Sequence, residues 1–213
     1  MGSRPAAPRV PSARRALSRA RAVALFLLSA VPPAVSTEPG EPRVSGQTRQ
    51  EVLLIIERLE DKENRHQWPR IARDLLLIQD PGVKPQLKRL VRHESAFVRH
   101  QASGAFSRLA DSRDLQDVLE MSQNPDWSVR SSAVDAMKKI PSSETEEALA
   151  RLLTGDPHRI VRANAARALG RLRGPRAVPF LQKALSDEEA LVRREAADAL
   201  RTITGRDLPR RAD

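Results

Sequence analysis

Residues 155–172 read GDPHRIVRANAARALGRL, and residues 186–203 read SDEEALVRREAADALRTI. Aligned on Val161-Arg162 and Val192-Arg193, the two stretches share one frame. The frame recurs upstream at Val98-Arg99 and Val129-Arg130, so the four Val-Arg pairs lie 31, 32 and 31 residues apart. Counted from each arginine, position +3 is Ala102, Ala133, Ala165 and Ala196, and position +6 is Ala105, Ala136, Ala168 and Ala199. Position +7 is Phe106, Met137, Leu169 and Leu200, and position +10 is Leu109, Ile140, Leu172 and Ile203. Offsets of −1, +3, +6, +7 and +10 trace one apolar stripe on an α-helix. Self-similarity at this period marks an internal repeat. Alanine at +3 and +6 has a physical reading, because small side chains let a neighbouring helix approach while the larger +7 and +10 residues fill the space beside it.

Each of these helices follows a second amphipathic segment: Val83–Leu87–Leu90–Val91, Leu115–Val118–Leu119, Ala148–Leu149–Leu152–Leu153 and Val178–Leu181–Leu185. Short polar turns join the two, HESAF, QNPDWS, GDPHRI and SDEEAL, and their Asp and Pro residues suit a helix cap and a fixed helix entry. The unit is therefore a helical hairpin of the kind that stacks into a solenoid. A degenerate fifth hairpin is expected ahead of the four. Val52, Ile55, Ile56 and Leu59 supply its first stripe, and Ile71, Leu75 and Ile78 supply its second if Trp68 takes the arginine position. The expected fold is all-α, an α-solenoid of about five helical hairpins over residues 48–205. Thr204-Gly205 stops the last helix, and residues 206–213 trail off as a charged tail.

At the other end, residues 1–36 hold six arginines and no acid, and run into the apolar stretch Ala22 to Val31 before Ala34-Val35-Ser36. A basic segment, a short apolar core and small residues at the end make a secretory signal peptide, which places the protein in an exported (periplasmic or secreted) setting. The ten-residue core is short for a permanent anchor, and the acid-free composition also fits a mitochondrial transit segment. Residues 37–47 read as a flexible linker.

This arrangement changes the meaning of the charge. The chain carries 37 Lys+Arg against 27 Asp+Glu, a net +10, with a pI near 11.1 that invites a nucleic-acid partner. Without residues 1–36 the balance is 31 basic to 27 acidic side chains, or +4. The chain has no Cys, which excludes disulfides, thiolate zinc sites and Cys nucleophiles.

The pattern DP–x–VR–x–x–A–x–x–A–L resembles HEAT-like repeats of the phycobilisome-lyase type, over roughly residues 48–205. The resemblance implies a right-handed superhelix whose second helices line the concave side. It also implies that Arg99, Arg130, Arg162 and Arg193 form a ladder between repeats with the turn acids Glu94, Asp126, Asp156 and Asp187. It is nearly silent on function, because members range from bilin lyases to plain scaffolds.

Catalytic and ligand sites find little support in the residues. HEAT-type di-iron hydroxylases use several His-Glu pairs in matched repeats, whereas His66, His93, His100 and His158 supply one such pair, His93-Glu94. No G-x-S-x-G nucleophile elbow occurs. The cations late in the second helices, Arg108, Lys138, Lys139, Arg171 and Arg201, suit a nucleic-acid stripe, as in HEAT-like DNA glycosylases, or the helix dipole. Trp127 and Phe97 read as packing between repeats.

The remaining candidate is a partner-binding surface. Positions +1, +2 and +5 are expected to face away from the packed stripe, and they differ in every repeat. They include His100, Gln101, Ser131, Ser132, Asp135, Asn164, Arg167, Arg194, Glu195 and Asp198. The expectation is a monomeric scaffold binding a protein partner. It would have no catalytic residues, cofactor, metal or nucleic acid, and no stable membrane anchor after signal removal. A bilin-lyase-like enzyme or enzyme subunit is the alternative.

Overall fold

A computed structural model describes residues 49–205; the signal-peptide, linker and tail readings (1–36, 37–47 and 206–213) lie outside the described residues. The described chain forms ten α-helices: α1 (Arg49–Glu60), α2 (Trp68–Arg73), α3 (Lys84–Leu90), α4 (Ala96–Leu109), α5 (Leu115–Met121), α6 (Trp127–Met137), α7 (Ser143–Gly155), α8 (Arg159–Leu172), α9 (Val178–Ala184) and α10 (Ala190–Thr204). They pair in chain order as five hairpins, and the described residues contain no strand. The second helices pack each on the next, α2 on α4, α4 on α6, α6 on α8 and α8 on α10. Among the described residues no helix is long and apolar enough to cross a membrane.

The turns start these helices as their residues dictate. Ser95, Asp126 and Ser142 have extended backbones, and their side chains accept N–H groups of the first turns of α4, α6 and α7. Prolines sit in the opening turns of α2, α3 and α9, where a missing N–H costs nothing. Gly205 ends α10 in the left-handed conformation, with φ of 67°.

Burial follows the repeat frame. Val98, Val129, Val161 and Val192 are wholly buried, as are the +3 alanines Ala102, Ala133, Ala165 and Ala196. The degenerate first hairpin buries Val52, Ile56, Leu59, Trp68, Ile71, Leu75 and Ile78 in the same continuous core. Its second helix differs from expectation: the α-helix stops at Arg73, and a 3-10 turn, Asp74–Leu77, carries the chain to Ile78.

Position +4 (Ser103, Val134 and Ala166) is also fully buried. An interior second helix has neighbours on three sides: its own first helix, the preceding second helix and the following one. One apolar stripe cannot describe such a helix. The solvent is left a narrow strip drawn from the +1, +5 and +9 positions: His100 and Arg108 on α4, Asp135 on α6 with Lys139 just past its end, and Arg167 and Arg171 on α8, where the +1 residue, Ala163, is buried.

Two second helices approach closely at Gly170, position +8 of α8. A Cβ there would lie 2.7 Å from the Cβ of Ala199 and 2.8 Å from its Cα. Alanine is normally the better helix residue by about 1 kcal/mol. Gly170→Ala is nonetheless expected to lower stability by about 1–3 kcal/mol, because the backbones must separate. Gly155, at the end of α7, has open space around its Cα. Gly155→Ala is expected to be neutral or to stabilise by up to about 1 kcal/mol. Urea midpoints of the two variants give opposite signs if the helix contact is as described.

Candidate functional site

The repeated arginine is the most engaged residue in each hairpin. Nη1 of Arg99 donates to the carbonyls of His93 and Glu94, both at 2.9 Å, and Nη1 of Arg130 donates to Asn124 and Pro125, also at 2.9 Å. Arg162 reaches Asp156 and Pro157 at 3.0 and 3.4 Å, and Arg193 reaches Asp187 and Glu188 at 3.0 and 2.9 Å. In all four cases the acceptors lie six and five residues before the arginine, in its own turn. The other edge of the guanidinium faces the next hairpin. Nε and Nη2 of Arg130 bind both oxygens of Asp156 at 2.6 and 2.8 Å, and those of Arg162 bind Asp187 at 2.9 Å each. Arg99 holds one oxygen of Asp126 from Nε and Nη2, at 2.8 and 2.7 Å. Each aspartate also accepts the backbone N–H two residues ahead, from Ser128, His158 or Glu189. The ladder implied by resemblance is therefore present. Its fourth acid, Glu94, pairs with Arg65 of the first hairpin at 2.5 Å, outside the Val-Arg frame.

The candidate surface divides in two. His100, Asp135, Arg167, Arg194 and Asp198 are exposed, and Ser131 and Asn164 are half-buried. Gln101, Ser132 and Glu195, by contrast, are buried, which corrects the expectation that position +2 faces solvent. Position +2 points at the preceding second helix and joins it by different chemistry in each repeat. The Ser132 hydroxyl meets that of Ser103 at 3.0 Å, Asn164 donates to the Ser131 hydroxyl at 2.9 Å, and Glu195 accepts from Arg167 at 2.9 Å. The Oε1 of Gln101 is buried with no hydrogen-bond partner among the described residues. Polar character at +2 therefore reflects contact between helices, a signal that single-face periodicity does not carry.

Comparison with known proteins places this geometry. The family model described as HEAT repeats matches residues 52–138 and 115–201. The chain belongs to the HEAT-repeat family. Among solved structures, it is similar to the complex of CpcE and CpcF of phycocyanin lyase from Nostoc sp. PCC7120, at 20% identity over 81% of this chain and 71% of that one, with a TM-score of 0.58. It is also similar to an engineered protein, at 21% identity over 76% of this chain and 87% of that one, with a TM-score of 0.50. At these identities the likeness is one of fold. No curated protein matches.

Within this HEAT stack the late cations have identifiable neighbours. Lys139 donates to the carbonyls of Ser107 and Arg108 (2.9 Å to the latter) at the end of α4, and Arg108 reaches the Leu75 carbonyl at 3.4 Å. Each cation thus caps the preceding repeat's second helix. Lys138 and Arg201 pair with Asp135 and Asp198 on their own helices. The histidines are likewise placed in packing. His93 accepts the Ser95 N–H at Nδ1, which leaves Nε2 to donate to the Leu59 carbonyl at 2.8 Å, and its ring meets Trp68 edge-on. His158 stacks on Trp127, with centroids 4.0 Å apart and planes 7° from parallel. Trp127 thus packs between HEAT repeats while still exposing its outer face. Among the described residues, no cluster of three or more His, Cys, Asp or Glu is arranged to hold a metal.

The bridges between HEAT repeats set a pH dependence. Burial would raise the Asp126 and Asp187 carboxyls, but it is outweighed. Ser128 and Arg99 hold Asp126 below its ordinary value, and Arg162 and the Glu189 N–H do the same for Asp187. Glu195 is lowered chiefly by its bond from Arg167. Carboxylates depressed in the folded state contribute stability that is present above their unfolded pKa of about 4 and lost as pH falls through the folded value. The urea midpoint is expected to be flat in these groups from about pH 5 to 7 and to drop steeply below about pH 4. An Asp126→Asn, Asp187→Asn double variant should be less stable at neutral pH and should show a shallower acid decline.

Proposed function

We propose that the chain is an exported HEAT-repeat interaction module. It binds a protein partner along the solvent strip of α4, α6, α8 and α10, and performs no chemistry of its own. One observation carries the reading. The buried rows and the arginine bridges recur from hairpin to hairpin, while the exposed residues at +1 and +5 change, from His100 on α4 through Asp135 on α6 and Arg167 on α8 to Arg194 and Asp198 on α10. A fixed frame presenting a variable, continuous face is how solenoids are generally used for binding. The non-catalytic reading is supported by the employment of the reactive side chains. The repeated guanidiniums are bound to carbonyls and carboxylates, and both ring nitrogens of His93 are engaged. Export is supported by residues 1–36, whose removal would leave a monomeric repeat domain without an anchor.

The experiment combines position and maturation. A photo-cross-linking residue at Asp135, on the strip, is expected to capture one defined protein. The same residue at Glu147, on the exposed side of α7, should not. Amino-terminal sequencing of the chain from the exported fraction should begin at Thr37. Capture from Glu147 alone, or a chain retained in the cytoplasm with residues 1–36 intact, would overturn the proposal.

A further inference from the structure

Residues 48–205 contain 27 basic and 23 acidic side chains, an excess of four positive charges. The same excess is found on the second helices α4, α6, α8 and α10 at positions +1, +2, +5, +8 and +9. Those twenty positions hold seven cations and three carboxylates. The asymmetry is concentrated in one row, position +9, where Arg108, Lys139 and Arg171 follow one another in three successive hairpins. None of the three is bound to a carboxylate. Among the described residues, Arg108 and Lys139 bond only to backbone carbonyls, and the exposed Arg171 has no hydrogen-bonding or ionic partner. The opposite layer is treated differently: Lys84 and Lys88 on α3 are each matched by carboxylates of the next hairpin, Asp111 and Asp114 for one, Asp117 and Glu120 for the other.

We propose that the +9 row receives an acidic segment of the protein partner, its carboxylates seated in turn against Arg108, Lys139 and Arg171. Stacked helices lie about 8–10 Å apart. A polyproline II chain returns to the same face every three residues, after about 9 Å, so a segment in that conformation with an acid at every third position matches the row. Burial lowers the pKa of Arg108 and of Lys139, and for Lys139 the fields of Asp114, Asp111 and Asp135 offset that desolvation only in part. An incoming carboxylate supplies a contacting anion to both. A polypeptide suits the face better than a nucleic acid. Asp135 and Asp198 interrupt the positive field, and the strip at +1, +5 and +9 of these helices carries no Phe, Tyr or Trp to stack bases, its one aromatic ring being that of His100.

The inference rests on the interaction reading and fails separately from it. A protein cross-linked from Asp135 that lacks an acidic segment leaves that reading standing and removes this one. The direct test titrates the full chain with a Glu-Gly-Ser repeat peptide, a Lys-Gly-Ser repeat peptide and an oligothymidylate of similar length, at about 50 and about 200 mM salt. The acidic peptide is expected to bind, to weaken at the higher salt, and to lose about fivefold or more in affinity with Arg171→Glu. Arg171→Gln should lose less. Because Arg171 has no partner among the described residues, both variants should keep the parent's helical circular dichroism; Arg171→Gln should melt close to the parent, and Arg171→Glu, in the last turn of α8, should melt only a few degrees lower. Arg176→Glu, off the second-helix strip, should bind as the parent does. Three results overturn the proposal: no preference for the acidic over the basic peptide, tighter binding of the oligothymidylate, or equal losses from Arg176→Glu and Arg171→Glu.

Discussion

The structure depends on a guanidinium that faces two ways. In each hairpin from the second onward, one nitrogen of the repeated arginine gathers two carbonyls of its own turn. In three of the four, the opposite edge grips an aspartate of the next turn. Only a planar fork with five fixed donors can do both at once; a lysine offers a point charge. The aspartate is bifunctional as well, because it orders the start of its own second helix while accepting the neighbour's arginine. One residue pair therefore fixes the turn, the helix entry and the spacing of adjacent repeats. Arg130 and Arg162 are buried while doing so. Buried ions are costly unless their polar groups are bonded, and here Arg162 uses all five of its N–H groups and Arg130 four.

Once the turns are registered, the second helices are drawn close enough to bury three of their sides. Gly170 against Ala199 is a point of close backbone contact, and the +2 residues stitch the seam by a hydroxyl pair, an amide–hydroxyl bond and an ion pair in turn. Variation at +2 is thus variation in mutual fit between consecutive helices. At +1 and +5, Ser131 and Arg167 take part in the seam as the partners of Asn164 and Glu195, whereas His100, Asp135, Arg194 and Asp198 stand outside it and form a face that need not repeat.

How much of this was legible follows from the same geometry. The valine and alanine rows show in the sequence because a buried stripe must return every three or four residues, and four copies make the register unmistakable. Five hairpins and their boundaries come from that register, including the first, where Trp68 is buried in place of an arginine. The rows at +2 and +4 were not legible. Ser103, Ser132 and Glu195 are polar, and a reading that allows each helix one apolar face assigns polar residues to solvent. The capping of α4 by Lys139 was equally hidden, because it joins residues about thirty positions apart across a repeat boundary. The sequence did place Trp127 between repeats, although the His158 ring on which it stacks carries no periodic signal.

The most direct test of the account is a double-mutant cycle on Arg130→Gln and Asp156→Asn, read as unfolding free energy in urea. The pair is buried and bidentate, so each single variant should cost about 3 kcal/mol or more by stranding its partner. The double variant should cost less than the sum by about 1.5 kcal/mol or more, the energy that couples one repeat to the next. Costs that add to within about 0.5 kcal/mol would show that the bridge does not hold the repeats together, and would contradict the account.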